Sequence, residues 1–253
     1  MKEKIEFMYL EEKKSQVKIA KELGLSEWEV RKKMKEFGIP SRKRGYIGNT
    51  KSDYFDKIDS ANKASILGLI TADGGIAKTK NYVRLELKAE DKYLLEKIIE
   101  LVAPGNKVSE SRGCFYINFC SKELVSSLLQ YGLTPRKSLT LNTLPTNLIP
   151  KEFYPDYIRG LYDGDGTVTM SGNYLRVGYN SGSKEFLEKF KDFLCAETGM
   201  KVNKTYKGTV YFTSWGSKDD IQKFYQYIYK GEPELFLKRK YDKISKYVNT
   251  EVS

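Results

Sequence analysis

The chain has 253 residues, of which 44 are Lys or Arg and 33 are Asp or Glu, and its formal net charge is +11. It contains no histidine, which excludes Ser-His-Asp and Cys-His catalysis, zinc fingers and His-based metallohydrolases. The chemistry that remains depends on carboxylates, Lys, Tyr, hydroxyl groups and hard divalent cations bound by oxygen. The basic excess indicates a polyanionic partner.

The cysteines and the apolar segments indicate the cellular compartment of the protein. Its three cysteines, Cys114, Cys120 and Cys195, follow no recognisable pairing scheme, which is typical of a reducing compartment. No apolar run is long enough to span a membrane, and the Lys-rich start is unlike a signal peptide. We therefore expect an intracellular protein that is not secreted and does not bind membranes.

The first 38 residues predict three short helices. Ser15 is expected to cap the second helix, and Gly24 allows a tight turn after it. Ser26 with Glu29 has the spacing of a capping box at the start of the third helix. The basic density is greatest here, because residues 1–51 carry fourteen basic and eight acidic side chains.

Residues 19–30 resemble a helix-turn-helix, with Ala20, Gly24 and Val30 at its small, turn and β-branched positions. The pattern predicts that Val17 and Trp28 face inward. The exposed face of the third helix would present Glu27, Arg31, Lys32 and Lys35 to a major groove. The stretch that follows would contact phosphates or enter a minor groove through Arg42, Lys43 and Arg44. The alternative is a small helical bundle with a solvated basic face.

Two segments of the chain repeat one motif. Residues 66–76 (ILGLITADGGI) and 158–168 (IRGLYDGDGTV) share Gly-Leu, then Asp-Gly, then the start of a strand. Their aspartates are Asp73 and Asp165. Periodicity predicts the order αββαββα in both halves. The predicted strands are 82–88, 114–120, 174–179 and 210–215, and the predicted helices after the motifs are 91–102, 122–131, 184–196 and 218–229.

These paired motifs resemble those of the LAGLIDADG homing endonucleases in their single-chain, two-motif form, over about residues 55–248. The resemblance implies an α+β fold in which two pseudo-symmetric αββαββα repeats form a DNA-binding saddle, preceded by a small all-α helix-turn-helix domain. The expected divisions are a helix-turn-helix domain at 1–40, a basic linker at 41–58, the first repeat at 59–149 and the second at 150–253.

Small residues recur at helical spacing in both motifs and would let two helices approach closely. They are Gly68, Ala72, Gly160 and Gly164. Asp73 and Asp165 end these helices, so close packing would bring the two carboxylates together. Two adjacent acids are costly unless a cation lies between them, which predicts Mg²⁺ or another hard divalent ion at this place.

The resemblance also implies roles for individual residues. Asp73 and Asp165 would bind the metal, assisted by the backbone carbonyls of Ala72 and Gly164. Lys137 and Lys240 would stabilise phosphate charge in catalysis. An alternative for Lys240 is that residues 238–240 form a solvated basic helix face. Asp163, whose counterpart is Thr71, is interpreted as a surface helix residue without a catalytic role.

Outward side chains on the strands are predicted to contact DNA bases, because an antiparallel ribbon fits the major groove. They are Lys78, Lys80, Arg84, Glu86, Lys88, Thr169, Ser171 and Arg176. The two halves differ at these positions, which favours a non-palindromic target.

The sequence therefore predicts a site-specific endonuclease that cuts both strands of DNA, acting as a pseudo-symmetric monomer without a protein partner. Two alternatives use the same scaffold: a DNA-binding transcriptional regulator that does not cleave, and an RNA intron maturase. The presence of both aspartates favours the enzyme over the regulator. An EF-hand is excluded, because Val168 and Tyr174 stand where its glycine and its acid are required. Basic charge argues against glycoside hydrolysis, which also uses paired acids.

Overall fold

The computed structural model describes residues 1–12, 14–41, 49–77 and 81–250, without the side chains of Ser138 and Leu139. The chain divides into two compact units, Met1–Tyr46 and Ile47–Ser253. In the described part of the chain, no helix combines the length and the apolarity needed to cross a membrane.

The front unit contains three short helical segments around its own core. They are α1 (Lys2–Glu6), which continues as a π-helix over Phe7–Glu11, α2 (Gln16–Leu23) and α3 (Glu27–Glu36). The side chain of Ser15 accepts a hydrogen bond from the Lys18 amide, and Ser26 forms a capping box with Glu29. Gly24 has the left-handed conformation, with φ of 65°. The predicted caps and turn are therefore confirmed.

Two inward predictions in this unit are wrong. Trp28 is 66% exposed and Val17 is 58% exposed. The buried side of α3 is formed by Val30 and Met34, which are one turn apart. Trp28 precedes Val30 by two residues, which places it about 200° around the helix from that buried side.

The larger unit contains two copies of the same element order. The first copy is α4 (Ala61–Asp73), β1 (Gly74–Ile76), β2 (Tyr82–Lys88), α5 (Lys92–Val102), β3 (Ser109–Ser111), β4 (Cys114–Cys120) and α6 (Lys122–Gln130). A short helix, α7 (Lys137–Thr140), leads to the second copy. That copy is α8 (Tyr154–Asp165), β5 (Gly166–Ser171), β6 (Tyr174–Ser181), α9 (Lys184–Thr198), β7 (Tyr206–Lys207), β8 (Tyr211–Trp215) and α10 (Lys218–Ile228). The predicted α+β fold of two αββαββα repeats is confirmed.

Each repeat has one four-stranded antiparallel sheet. The strand orders are β1-β2-β4-β3 and β5-β6-β8-β7. On β2, Val83, Leu85 and Leu87 are buried in the core, so Arg84 and Glu86 lie on the opposite side of the sheet. The helices therefore cover one face of each sheet and leave the other face open.

Residues 49–58, which the sequence placed in a linker, pack in the core of the larger unit. The amide of Lys51 donates to the carbonyl of Val102 at 2.8 Å, and Phe55 and Ile58 are buried. Their apolar side chains contribute to the same core as α4 and the first sheet.

The segment between α10 and the last helix, α11 (Lys238–Asn249), ties the second repeat to the first. Buried Arg159 donates to the carbonyls of Leu235 and Ile228, both at 2.9 Å, and pairs with Asp156 at 2.6 Å. The Tyr93 hydroxyl on α5 donates to the carbonyl of Phe236 at 2.9 Å. We call residues 229–237 the strap.

Candidate active site at the paired motif helices

The motif helices α4 and α8 pack against each other through glycines. A Cβ atom added at Gly160 would lie 2.0 Å from the carbonyl oxygen of Ser65, and one at Gly68 would lie 2.2 Å from that of Tyr157. The backbones of α4 and α8 are therefore in direct contact, as the spacing of small residues in the motifs predicts. Since both helices end in aspartate, this packing carries Asp73 and Asp165 to one end of the pair.

The two carboxylates lie in an electrostatically unfavourable setting. A Cβ atom added at Gly164 would lie 3.2 Å from Oδ2 of Asp73, so this carboxylate rests against the last turn of α8. Burial raises the pKa of Asp73. Burial, together with the negative charge of Asp73, raises the pKa of Asp165 to about 6. Both acids would be stabilised by a nearby cation.

Asp73 and Asp165 line two different cavities, and each cavity is lined by residues of both repeats. Asp73 lines a cavity of about 620 Å³ together with Lys240. Asp165 lines a cavity of about 230 Å³ together with Lys137 and Asn180. Lys137 belongs to the first repeat and Lys240 to the second, and the sequence did not predict which aspartate each would approach. The aspartate of one repeat shares its cavity with the lysine of the other.

Both predicted lysines contact the ends of the motif helices. Lys137 Nζ donates to the carbonyl of Ala72 at 2.7 Å. Lys240 Nζ donates to three carbonyls, those of Tyr162 at 2.7 Å, Asp163 at 2.8 Å and Gly166 at 2.6 Å. Burial lowers the pKa of both lysines, that of Lys240 to about 8, while nearby aspartates oppose the shift. The interpretation of Lys240 as part of a solvated helix face is wrong, because its side chain is buried.

Asp163 is also buried, which contradicts its interpretation as a surface residue. Its Oδ2 accepts a hydrogen bond from the amide of Leu237 at 3.2 Å, while its Oδ1 is buried without a partner. Burial raises the pKa of Asp163 to about 7, although the positive charge of Lys240 opposes the shift. The start of α11 and the strap cover this side chain, and sequence spacing within the motif gives no sign of that.

Sequence reasoning also missed an ion pair at the larger cavity. Arg239 Nε lies 2.9 Å from Oδ2 of buried Asp91, and both residues line the cavity that contains Asp73. Asp91 lies in the first repeat and Arg239 in the second. No pattern in the sequence connects these residues, which are 148 positions apart.

The donor atoms at this place suit a hard divalent ion. Among the described residues, no group of three or more acidic or cysteine side chains gathers into a metal site. An ion would therefore depend on Asp73 and Asp165 with backbone oxygens. The carbonyl of Ala72 already accepts a hydrogen bond from the Lys137 ammonium, whereas no lysine in the described part of the chain donates to the carbonyl of Gly164. Oxygen donors of this kind fit Mg²⁺ or a similar cation.

The predicted DNA-contacting residues on the strands lie on the open faces of the sheets. Arg84 stacks on the Tyr116 ring with 3.6 Å from Cζ to the centroid, and also binds Glu86. Lys88 lines the larger cavity, and Arg176 is exposed opposite Thr169. Lys78 and Lys80 lie outside the described residues.

On α3, the predicted outward residues are exposed. Arg31 pairs with Glu27 at 3.0 Å, Lys32 Nζ lies 5.3 Å from the centroid of the Trp28 ring, and Lys35 is exposed. The basic stretch Arg42, Lys43 and Arg44 lies outside the part of the chain that the structure describes.

Comparisons with known proteins agree with this architecture. Residues 152–229 match the family model of the LAGLIDADG-like domain, which confirms the resemblance seen in the sequence. Comparison with curated protein sequences gives no match.

Three solved structures show the same fold. The LAGLIDADG meganuclease I-AabMI bound to uncleaved DNA is 14% identical, with 74% of this chain and 89% of that chain covered and a TM-score of 0.53. The meganuclease I-SmaMI bound to uncleaveable DNA is 14% identical, with coverage of 73% and 88% and a TM-score of 0.51. Full-length DUF199/WhiA from Thermatoga maritima is 17% identical, with coverage of 80% and 66% and a TM-score of 0.50.

Proposed function

We propose that this chain, with a LAGLIDADG-like domain at residues 152–229 and a two-repeat fold, is a site-specific endonuclease that cuts double-stranded DNA. One observation carries the proposal. Two helices in backbone contact end in Asp73 and Asp165, and each acid shares a cavity with a lysine of the other repeat. Two such cavities match the two phosphodiester bonds of a duplex.

Asp73 and Asp165 would hold a divalent ion with the carbonyls of Gly164 and Ala72. Such an ion, when bound, activates water and stabilises the leaving oxygen of a phosphodiester. Lys137 and Lys240 place positive charge at the ends of the motif helices, close to both acids. Their charge would attract the phosphates of the two strands towards the carboxylates.

The open sheet faces would bind the duplex, with Arg84, Lys88 and Arg176 among the contacts. The front unit would add affinity through α3, since a tethered second module raises the effective concentration of the first. Because the chain carries both repeats, it would act as a monomer.

A second function is favoured by one feature of the site. The ammonium groups of Lys137 and Lys240 are satisfied by four backbone carbonyls, one of which is the Ala72 carbonyl assigned to the metal. The positive charges of both lysines also act to lower the pKa of Asp73 and Asp165, so they offset part of the negative charge without a metal ion. A DNA-binding transcriptional regulator that does not cut would use the site in this way.

The test separates the two functions. A binding site selected from random duplexes is cloned into a supercoiled plasmid, and the full chain is added with Mg²⁺. We expect linear plasmid from the wild-type chain, and binding without cutting from Asp73→Asn and Asp165→Asn. Asp242→Asn, a change of an exposed acid on α11, is the matched control and should cut normally. Binding of the wild-type chain without any nick would contradict the endonuclease and favour the regulator.

A further inference from the structure

Exposed apolar side chains are concentrated in the second sheet and in the segments beside its strands. Among the described residues, twelve large apolar side chains are exposed, and half of them lie between residues 170 and 212. They are Met170, Tyr174, Val202, Tyr206, Val210 and Phe212. The strands of the first sheet contribute none, and their open face carries charged residues such as Arg84 and Glu86. The two repeats therefore present different chemistry on equivalent surfaces.

The strand register places the three aromatic members of this group on the open face, whereas Met170 stands opposite buried Leu175 and lies on the core side. Leu175, Val177 and Tyr179 of β6 are buried, so Tyr174 lies on the opposite side of the strand, as does Arg176. On β8, Phe212 precedes buried Thr213, and its partner across the ladder is Tyr206.

Tyr206 and Phe212 form a preformed apolar surface. Their ring centroids are 5.5 Å apart with an interplanar angle of 26°, although both side chains are more than a third exposed. Rings stacked in this way have already lost part of their rotamer freedom. Contact with a ligand therefore costs little further side-chain entropy.

The charge around this surface favours a polyanion. Residues 166–183 and 199–217, which form the strands and the approach to them, contain no Asp or Glu. They contain four basic residues: Arg176, Lys201, Lys204 and Lys207. A cavity of about 620 Å³ is lined by three of these and by Tyr174 and Tyr206. The first sheet, in contrast, carries Glu86 and Glu110 on its strands.

This surface fits a partner that combines dense negative charge with exposed apolar groups, and duplex DNA rich in thymine has both. The C5 methyl group of thymine is the apolar group that the major groove exposes, and it is bound by apolar side chains. Thr169 and Ser171 stand opposite Arg176 and Tyr174, so hydroxyl groups lie beside the aromatic rings for hydrogen bonds to base edges.

We propose that the second sheet recognises a thymine-rich half-site in duplex DNA, through contacts of Tyr174, Tyr206 and Phe212 with thymine methyl groups. This inference rests on the proposed function only in that a duplex lies across both sheets. It requires no cleavage. The first sheet, with its charged residues, reads the other half-site by hydrogen bonds.

The experiment measures binding alone, in EDTA, with the full-length chain. A random-sequence duplex library is selected to give a consensus, which is then synthesised with deoxyuridine in place of thymidine in one half or the other. Deoxyuridine keeps base pairing and removes only the methyl group. The variant is Tyr206→Ser with Phe212→Ser. The control is Leu148→Ser, which removes an exposed apolar side chain outside both sheets.

We expect one half of the consensus to be rich in thymine and affinity to fall about fourfold for each buried methyl group that is removed there. The same replacement in the other half should change affinity little. The double variant should remain folded and lose most of its discrimination between thymine and uracil duplexes, whereas the control should keep it. Equal losses in both halves would overturn the proposal. So would unchanged discrimination in the double variant, or association into dimers that Phe212→Ser abolishes. Loss of plasmid cutting alone would bear on the proposed function and leave this inference intact.

Discussion

The helix pair can be tested by adding one methyl group where the backbones touch. In Gly160→Ala the new Cβ would lie 2.0 Å from the carbonyl oxygen of Ser65 and 2.8 Å from the amide nitrogen of Leu69. Non-bonded atoms need about 3.5 Å, so the helices would have to separate by roughly 1.5 Å. Because the obstructing atoms belong to the backbone, no side-chain rotation relieves the overlap. We expect a loss near the upper end of overpacking penalties, about 3 kcal/mol.

Differential scanning calorimetry measures this effect. For a unit of this size, about 3 kcal/mol corresponds to a decrease in Tm of roughly 6–12 °C. Gly208→Ala is the matched control, because the nearest atom to its added Cβ is 3.8 Å away and the site is exposed. Plasmid cutting by Gly160→Ala should be lost below its Tm as well, since the separation moves Asp165 away from Asp73. Equal Tm values for Gly160→Ala and the wild-type chain would refute close glycine packing.

Three further predictions concern other parts of the molecule. The pKa of Asp165 is raised from its ordinary value of 3.8 to about 6. Between pH 3.8 and about 6, the folded chain therefore binds a proton at Asp165 that the unfolded chain has released, so the free energy of unfolding falls as the pH rises through this range. Urea titrations should show that Asp165→Asn flattens this fall and that Mg²⁺ stabilises only the wild-type chain above about pH 6; equal pH slopes would contradict the assignment. Trp28 is exposed and Trp215 is buried, so acrylamide should quench mainly Trp28, and bound duplex DNA should protect it from quenching. Trp28→Phe, which leaves only Trp215, should lose that protection, and quenching of wild-type Trp28 that DNA does not change would exclude α3 as the contact. Arg159→Met leaves the carbonyls of Leu235 and Ile228, and the carboxylate of Asp156, without their hydrogen-bond donor. It should lower the free energy of unfolding, measured by urea denaturation, by about 3–5 kcal/mol, whereas a loss under about 1 kcal/mol would show that other contacts hold the strap.

The features that depend on neighbouring residues were predictable from the sequence. The bounds of β2 and β4 agree with the predicted 82–88 and 114–120, because alternation along a strand is a local signal. The capping box at Ser26 is likewise set by four consecutive residues. The contact between the helices of Gly68 and Gly160 was predictable because the motif occurs twice, and two helices that carry small residues at the same spacing can pack closely together.

The features that depend on distant segments were not. The neighbours of Asp163 predict a surface residue, because they do not reveal that Leu237, 74 positions later, covers it. The pairing of Asp91 with Arg239 is of the same kind. Short strands such as β7, with two residues, carry too little pattern to be recognised. In the front unit, the large apolar side chain of Trp28 predicts burial, but its angle from Val30 around the helix places it in solvent.

Each cavity of the candidate site combines an aspartate of one repeat with a lysine of the other. Neither repeat alone contains an aspartate and the lysine that shares its cavity, since Asp73 meets Lys240 and Asp165 meets Lys137. Both pairs depend on the same contact between α4 and α8, so a change at that contact disturbs both cavities together. The surroundings of the two acids are nevertheless unequal, because Arg239 and Asp91 line the larger cavity, which contains Asp73, and do not line the smaller cavity, which contains Asp165. A duplicated fold thus couples the positions of its two acids while leaving the side chains around each free to differ, as the two open sheet faces also do.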